Sequence, residues 1–465
     1  MKKRVIFIVV TALLCCLLVA CGSKTRLQAP QNIRQNGPFL IWDEVENAEG
    51  YIVLADNEEY VTAEPSCNLS FLGGETVYVV KIKAVGDGEN FADSDWSEFG
   101  FNEIFKYTLL ADGSGYEVNL SVSSVELQDR KVVVPSTYEN LPVTRIADKM
   151  FYKCASLTEV VLPNTLKEIG ANAFYNCKAL TSIDLPSSVT AIGSGAFSGC
   201  SSLKKLIVPT GIEQIENLTF EGCTSLTEIV LPNTLKEIGV DAFYNCKALT
   251  SIELPESVTA IGPSAFMHCS SLKKIVVPTG IERIESNMFN DCTSLTEVVL
   301  PSMLKEIRGM AFFGCIALEN IELPASVTAI GSIAFGGCSS LKKIVVPTGV
   351  ERIEGSTFVG CSNLTEVVLP STLKEIMGMA FRKCEALKTV VLPSSLEDIG
   401  KDAFYMCPLE SVFFDGTEAE FLSVSVAEGN DSILSAAVYF YSETEPTENP
   451  QKFWRFSGGK PLPWA

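Results

Sequence analysis

Residues 246–268 read CKALTSIELPESVTAIGPSAFMH, and the same pattern returns every 23 residues along most of the 465-residue chain. Twelve cysteines lie one such step apart, each with a phenylalanine three residues before it, and eleven prolines keep the same step. A fixed period in the twenties indicates a solenoid, in which each repeat is one coil that stacks on its neighbours. The twelve cysteines are Cys154, Cys177, Cys200, Cys223, Cys246, Cys269, Cys292, Cys315, Cys338, Cys361, Cys384 and Cys407.

The spacing of apolar residues within the unit predicts how one coil is built. Leu249, Ile252 and the next leucine have the spacing of a short strand whose inward side chains stack on the neighbouring coils. Pro255 has no N–H group and therefore ends the strand pairing. A second apolar pair, Val258 and Ile261, turns back over the core. The sequence therefore predicts a mainly β fold, a curved parallel-sheet solenoid with short turns and helical segments.

The generalised unit, C-x-x-L-x-x-[IV]-x-[LV]-P-x-x-[VIL]-x-x-I-x-x-x-x-F-x-x, resembles the BspA-like leucine-rich repeat. It covers residues 154–406 without a gap. The resemblance implies a bacterial surface protein that attaches to host proteins, to extracellular matrix or to other bacteria. The fold alone does not identify the partner.

A longer period of three coils is superimposed on the 23-residue step. Residues 154–222 and 223–291 are identical at 51 of 69 positions, which indicates duplication of a three-coil block. We name the coils of a block A, B and C. Coil A begins at Cys154, Cys223, Cys292 or Cys361, coil B 23 residues later, and coil C 46 residues later.

Two positions of each predicted strand should face outward on the concave sheet. The position before the central Ile or Val is often charged, and we predict that these residues form a binding face: Glu159, Lys205, Glu228, Lys274, Glu297, Lys343 and Glu366. The other outward position is mostly Val or Ile, with Asp184, Glu253 and Glu322 interspersed. The alternative is that the charges serve solubility and the β-branched residues simply suit strands.

The chain begins with a predicted targeting segment at residues 1–20. Met1-Lys2-Lys3-Arg4 is followed by sixteen residues that are almost all apolar, which is typical of a secretory signal and too short for a membrane span. Residues 18–21, LVAC, resemble a bacterial lipobox. The resemblance implies cleavage before Cys21 and a covalent lipid on its sulfur. We therefore expect a protein outside the cytoplasmic membrane that is anchored to it by lipid and exposed at the cell surface.

Residues 21–101 differ in composition from the repeats and show short β-patterned runs between turns. Their order of apolar and aromatic residues resembles a fibronectin type III domain, with Trp42 between the two sheets and Tyr78 opening the penultimate strand. The resemblance implies a small β-sandwich, which we interpret as a spacer. Residues 102–153 are predicted to cap the start of the solenoid. Residues 407–465 are predicted to form a divergent last repeat, a cap and an aromatic tail that packs on the last coils.

Composition argues against several classes of function. The chain carries 36 basic and 56 acidic side chains, a net charge of −20, which does not suit nucleic acid. Its one histidine, His268, occupies a variable position and is interpreted as a surface residue. Equivalent side chains of stacked coils point the same way, so we predict that the cysteine ladder consists of free, buried thiols. We expect no metal, no cofactor besides the lipid, and no enzymatic activity.

The sequence thus predicts a surface protein that binds protein ligands of a host or of neighbouring cells. The alternative is a lipoprotein that captures glycans for a polysaccharide-degrading system.

Overall fold

The computed structural model describes residues 24–36, 39–55, 58–68, 79–100, 105–121, 131–457 and 460–464. The chain divides into two units, with the boundary between Phe99 and Gly100. Strands predominate in both units, so the predicted mainly β fold is confirmed.

The N-terminal unit contains two small sheets. Phe39–Ile41 is the central strand of one and pairs antiparallel with both neighbours. Gly50–Ala55 likewise pairs antiparallel with two strands of the other. In spatial order, the first sheet consists of Arg34–Asn36, Phe39–Ile41 and Ser66–Asn68. The second consists of Glu58–Thr62, Gly50–Ala55, Val79–Val85 and Ser97–Gly100. A short parallel pair joins Thr25–Arg26 to Phe91–Ala92.

Aromatic packing marks the core of this unit. Trp42 is buried and meets the Tyr51 ring edge-on, with 5.2 Å between the ring centroids. The Tyr51 hydroxyl accepts a 2.8 Å hydrogen bond from the Val45 amide, which holds the ring in place. Tyr78, the second residue of the fibronectin type III resemblance, lies outside the described residues.

Coils A and C of the second unit are each built from two short strands. In Lys274–Val276 the central Ile275 is buried while its two neighbours are exposed, as alternation along a strand requires. The Pro278 carbonyl accepts a 3.1 Å hydrogen bond from the Ile281 amide, which closes the turn before the second strand, Arg283–Ile284. The repeated proline therefore ends one strand and begins the turn to the next.

The strands of the solenoid form two parallel ladders. The first strands are Lys131–Val133, Glu159–Val161, Lys205–Ile207, Glu228–Val230, Lys274–Val276, Glu297–Val299, Lys343–Val345, Glu366–Val368, Thr389–Pro393, Ser411–Asp415 and Ala437–Tyr441. The second strands are Leu141–Ile146, Glu168–Ile169, Ala191–Ile192, Gln214–Ile215, Glu237–Ile238, Ala260–Ile261, Arg283–Ile284, Glu306–Ile307, Ala329–Ile330, Arg352–Ile353, Glu375–Ile376, Asp398–Ile399 and Ser425–Val426.

The core consists of columns of identical residues. The repeated phenylalanines, from Phe151 to Phe404, are fully buried, and neighbouring rings stack with centroids 5.1 to 5.8 Å apart. The amide of each one up to Phe381 donates to a carbonyl of the next coil, as from Phe243 to Ala265 at 2.8 Å. This column of hydrogen bonds crosses every junction between the repeated coils.

The first ladder is interrupted once in every three coils. Coil C pairs with the following coil A, as Lys274–Val276 does with Glu297–Val299. The first three B coils form only single bridges to coil C, at Ser182, Ser251 and Asn320. Over residues 154–406, all of which the structure describes, no ladder pairing joins the first strands of coils A and B.

The prediction of a first strand at 249–254 is therefore wrong. Only a single bridge forms there, at Ser251, while Ile252 is buried as the pattern requires, so core packing satisfies the apolar spacing without a strand. The second ladder has its own interruption, between coils B and C. Coils A and B are thus joined through their second strands, such as Glu306–Ile307 with Ala329–Ile330.

Two positions in each coil adopt a left-handed backbone conformation. They precede the cysteine by one and by five residues, as in Asn176 (φ 57°) and Asn172 (φ 54°). Asn, Asp and Gly occupy many of these positions because they tolerate positive φ. Leu218 and Ile333, both with φ 61°, do not share that tolerance.

The start of the solenoid continues both ladders. Lys131–Val133 pairs in parallel with Glu159–Val161, and Leu141–Ile146 pairs in parallel with Glu168–Ile169. The strand Leu141–Ile146 is in turn covered by an antiparallel pair, Phe105–Leu109 with Tyr116–Leu120. A short strand, Thr137–Tyr138, pairs antiparallel with Leu141–Ile146.

The C-terminal end extends the first ladder beyond the last repeat. In order, the added strands are Ser411–Asp415, Ala437–Tyr441, Phe453–Ser457 and Lys460–Pro463, with helices Glu418–Ser423 and Asp431–Ser435 and the 3₁₀ helix Pro450–Lys452 between them. Trp454 is fully buried and donates a 2.9 Å hydrogen bond to the Phe414 carbonyl. Trp464 donates to the Ser442 carbonyl at 3.3 Å. Phe456 is 53% exposed, and its ring meets the Trp454 ring edge-on with 4.8 Å between the ring centroids.

Candidate binding face

The outward side chains of the first strands form two rows across the coils, which we call together the strand face. The charge row holds the residue before the central apolar position: Glu159, Ser182, Lys205, Glu228, Ser251, Lys274, Glu297, Asn320, Lys343, Glu366 and Thr389. The valine row holds the residue after it: Val161, Asp184, Ile207, Val230, Glu253, Val276, Val299, Glu322, Val345, Val368 and Val391. Strand alternation sends both rows away from the core.

Six of the seven charged residues predicted for the binding face are paired with one another. Each lysine of coil C contacts the glutamate of the next coil A, at nitrogen–oxygen distances of 2.6 to 2.7 Å. The pairs are Lys205–Glu228, Lys274–Glu297 and Lys343–Glu366. The seventh residue, Glu159, lies opposite Lys131 in the backbone register. These residues therefore lie together on one face, where six of their charges neutralise each other.

The valine row is an exposed apolar surface. Its Ile and Val side chains between residues 207 and 368 are 41 to 57% exposed. A single exposed valine is ordinary on a protein surface, whereas several exposed side chains of this kind on one face are typical of an interaction site.

Every coil B before residue 384 places a carboxylate in the valine row. Asp184, Glu253 and Glu322 are exposed, and none forms an ion pair with any residue that the structure describes. The sequence placed them in an outward row but gave no reason to choose them over the paired glutamates. Their 69-residue period could have singled them out. The structure adds that the charges of the neighbouring row are paired, whereas within the described part of the chain these three carboxylates are not.

A cleft opens in the strand face where the first ladder is interrupted. It has a volume of about 620 Å³ and lies between a coil A and the following coil B. Glu297 and Val299 line one side, and Asn320 and Glu322 line the other. The cleft therefore combines exposed apolar surface with carboxylates.

The cysteine ladder lies in the core, away from the strand face. From Cys177 onward, each Sγ atom donates to the carbonyl of the phenylalanine 26 residues earlier, at 3.0 to 3.3 Å. Burial raises the pKa of Cys200, Cys269 and Cys361 to about 12. A thiol held in its neutral form is a poor nucleophile and a poor metal ligand. The ladder is therefore part of the architecture.

The other residues singled out by the sequence do not form a reactive centre. His268 is partly exposed, and its Nδ1 atom lies 3.4 Å from an Asp291 carboxylate oxygen, while Cys269 points into the core. Among the described residues, no group of three or more His, Cys, Asp or Glu side chains is arranged to hold a metal ion. Cys21 lies outside the described residues. In the part of the chain that is described, no helix is both long and apolar enough to cross a membrane.

The stacked coils, the two parallel ladders and the strand face define a leucine-rich repeat protein, a fold that serves as a scaffold for binding proteins. The model of the BspA type leucine rich repeat region matches residues 136–232, 200–318, 259–377 and 305–425. Together these matches cover residues 136–425, more than half of the chain. The chain belongs to this family.

Several solved structures are similar. A leucine-rich repeat protein from Bacteroides ovatus is 27% identical, with 74% of this chain and 99% of that one covered and a TM-score of 0.49. A leucine rich cell surface protein from Faecalibacterium prausnitzii is 25% identical, with 71% and 98% covered and a TM-score of 0.44. A leucine-rich repeat protein from T. pallidum is 29% identical, with 51% and 88% covered and a TM-score of 0.33. Comparison with curated proteins gives no match.

Proposed function

We propose that this protein is a bacterial surface adhesin that binds protein ligands of a host or of neighbouring cells through its strand face. The observation that carries the proposal is the exposed valine row, in which pairs of apolar side chains recur every three coils beside a row of paired charges. Apolar surface provides the driving force of association, and fixed ion pairs at its side provide polar contacts that favour one register of the ligand. The function is binding, and the protein catalyses no reaction.

The proposal includes attachment to the cell by a lipid on Cys21. A cationic start, a short apolar run and the residues LVAC support it. The similar protein from F. prausnitzii is described as a cell surface protein, which agrees with this location. The two small antiparallel sheets of the N-terminal unit and its buried Trp42 support the resemblance to fibronectin type III domains and a role as spacer.

An array of extracellular matrix proteins, bacterial surface proteins and glycans tests this function. The probe is the chain from Lys24 to Ala465, which contains every residue that the structure describes. We expect selective binding to one or more proteins, and affinities are then measured in solution. Binding to glycans alone, or to no protein at all, would overturn the proposal in favour of glycan capture or another role.

Charge reversal in the charge row locates the contact. The triple variant Lys205→Glu, Lys274→Glu and Lys343→Glu should change the affinity for the array partner at least tenfold, because it replaces three ion pairs with three clusters of like charge beside the valine row. Its control is Lys236→Glu, Lys305→Glu and Lys374→Glu. These lysines have the same 69-residue spacing and pair with Glu213, Glu282 and Glu351 outside the strand face. Equal affinities of the two variants would contradict the proposed contact.

A further inference from the structure

The strand face carries a periodic charge that the ion pairs leave uncompensated. The lysines of coil C and the glutamates of coil A neutralise each other across each junction. Asp184, Glu253 and Glu322 remain, one in each of the first three blocks, and each interrupts the valine row. Along that row the sequence of surfaces is carboxylate, apolar, apolar, and then carboxylate again.

The spacing of these carboxylates determines which backbone conformation of a ligand can place its side chains over them. Every junction between Asp184 and Glu322 is held by a ladder pairing or by a bridge, at which strands lie about 4.8 Å apart, so carboxylates three coils apart are separated by about 14 Å along the stack. An extended chain rises about 3.4 Å per residue, so four of its residues span that distance. Four is an even number, and residues i and i+4 of an extended chain therefore point to the same side.

Other regular conformations do not match this interval. An α-helix rises about 1.5 Å per residue and needs between nine and ten residues to span 14 Å. Over that length the helix rotates, so the side chains at the two ends point in different directions. A polyproline II helix rises about 3.1 Å per residue and repeats every third residue, so it places no equivalent side chain at that distance. The period of the strand face thus favours an extended ligand that runs along the stack.

We propose that the strand face recognises an extended basic segment of a partner protein, with Lys or Arg at positions i, i+4 and i+8 and apolar residues at i+2 and i+6. The cationic side chains meet Asp184, Glu253 and Glu322 in turn. The apolar side chains fall between them, about 7 Å from each carboxylate, over pairs such as Ile207 and Val230. This inference rests on the proposed function and specifies the chemistry of its partner.

The structure provides support at two further points. At Glu322 the interrupted ladder opens the cleft of about 620 Å³ that Glu297 and Val299 also line, which leaves room for a long side chain beside carboxylates and an apolar wall. The net charge of −20 attracts a basic segment over a distance and should increase the rate of association at low salt.

Two synthetic peptides of identical composition test the spacing. The matched peptide has eleven residues, with lysine at positions 2, 6 and 10, valine at 4 and 8, and serine or threonine elsewhere. The shifted peptide has its central lysine moved from position 6 to position 5, which turns that side chain to the opposite side. At low ionic strength, binding to the chain from Lys24 to Ala465 should be at least tenfold tighter for the matched peptide. Equal affinities would overturn the inference.

A triple variant tests the location. Asp184→Asn, Glu253→Gln and Glu322→Gln should reduce the affinity for the matched peptide at least tenfold, whereas Glu213→Gln, Glu282→Gln and Glu351→Gln, with the same change in charge outside the strand face, should alter it less than twofold. An unchanged affinity of the first variant, or an equal loss in both, would overturn the inference. If the array partner still depends on the charge row while the peptides show no preference, the proposed function stands and this inference fails. Peptide recognition without any protein on the array would contradict the proposed function alone.

Discussion

At the scale of the residue, each thiol of the cysteine ladder from Cys177 onward is small enough for a buried site and also donates a hydrogen bond there. No other common side chain meets both requirements equally well. The site is fully buried and small, as the zero exposure of Cys246 and Cys269 shows. It also offers a carbonyl 26 residues earlier in the chain at 3.2 Å, such as that of Phe243 for Cys269. Alanine would fit without donating, and serine would donate but bring a more polar group into the core.

The left-handed positions show where one residue is poorly suited to its backbone. Ile333 has φ 61°, while Asn287 holds the equivalent position two coils earlier with φ 58°. A β-branched residue there costs about 1–2 kcal/mol because its Cβ substituents crowd the backbone. Ile333→Asn should therefore raise the free energy of unfolding by about 1 kcal/mol in chemical denaturation. Ile316→Asn, the same change at an exposed position of ordinary φ, should give no gain. A loss of stability in the first variant would contradict the argument.

At the scale of the element, the solenoid does not repeat its hydrogen bonds as regularly as its core. The apolar pattern is the same in coils A, B and C, yet the first ladder is interrupted between A and B and the second between B and C. Strands of two or three residues have few hydrogen bonds, so a junction can lack one ladder pairing while the core columns continue across it. The repeat pattern predicted the coils and their core but not these interruptions.

The C-terminal cap depends on one buried aromatic residue. Trp454→Ala should cost about 3–5 kcal/mol, since it opens a large cavity and removes the hydrogen bond to the Phe414 carbonyl. Hydrogen exchange should accelerate in Ala437–Tyr441 and leave residues 223–291 protected, because coils of a solenoid contact only their neighbours. Phe456→Ala, at a half-exposed ring, is the control and should change little. Uniform acceleration along the whole array would contradict a local role of Trp454.

At the scale of the whole molecule, the buried thiols should make the solenoid sensitive to alkali. The ordinary pKa of a thiol is 9.0, and burial raises that of Cys200 to about 12. As pH rises above about 9, the unfolded chain loses thiol protons that the folded chain retains. Stability is therefore complete below pH 9 and is lost progressively between pH 9 and 12, by about 1.4 kcal/mol per pH unit for each thiol.

Chemical denaturation between pH 7.5 and 10 in the presence of a reductant measures this slope. The variant Cys200→Ala, Cys269→Ala and Cys338→Ala should show a slope shallower by roughly 4 kcal/mol per pH unit above pH 9, because three thiols no longer titrate. Its stability at pH 7.5 will be lower, so the comparison concerns the slopes only. Parallel curves of unfolding free energy against pH for the two proteins would show that the cysteine ladder does not control the response to alkali.

The sequence alone predicted the solenoid, the position of each coil and the residues of its core, because a 23-residue period admits few other structures. It also placed the charge row on one face. It placed Lys274 and Glu297 at equivalent positions of neighbouring coils but could not show that they form an ion pair, because the first strands pair at some junctions and not at others. For the same reason it could not show that Glu253 and Glu322 retain an uncompensated charge.

The ladder interruptions, the ion pairs and the coil B carboxylates all recur with the same period. This shared period affects how the gene can change in length. Each is tied to the three-coil block of 69 residues. Recombination that adds or removes one block would lengthen or shorten the binding surface by about 14 Å. The order of carboxylates and apolar residues along that surface would stay the same. Gain or loss of a single coil would instead put the two ends out of register. Descendants of this chain should therefore differ in reach by whole blocks while keeping the same kind of ligand.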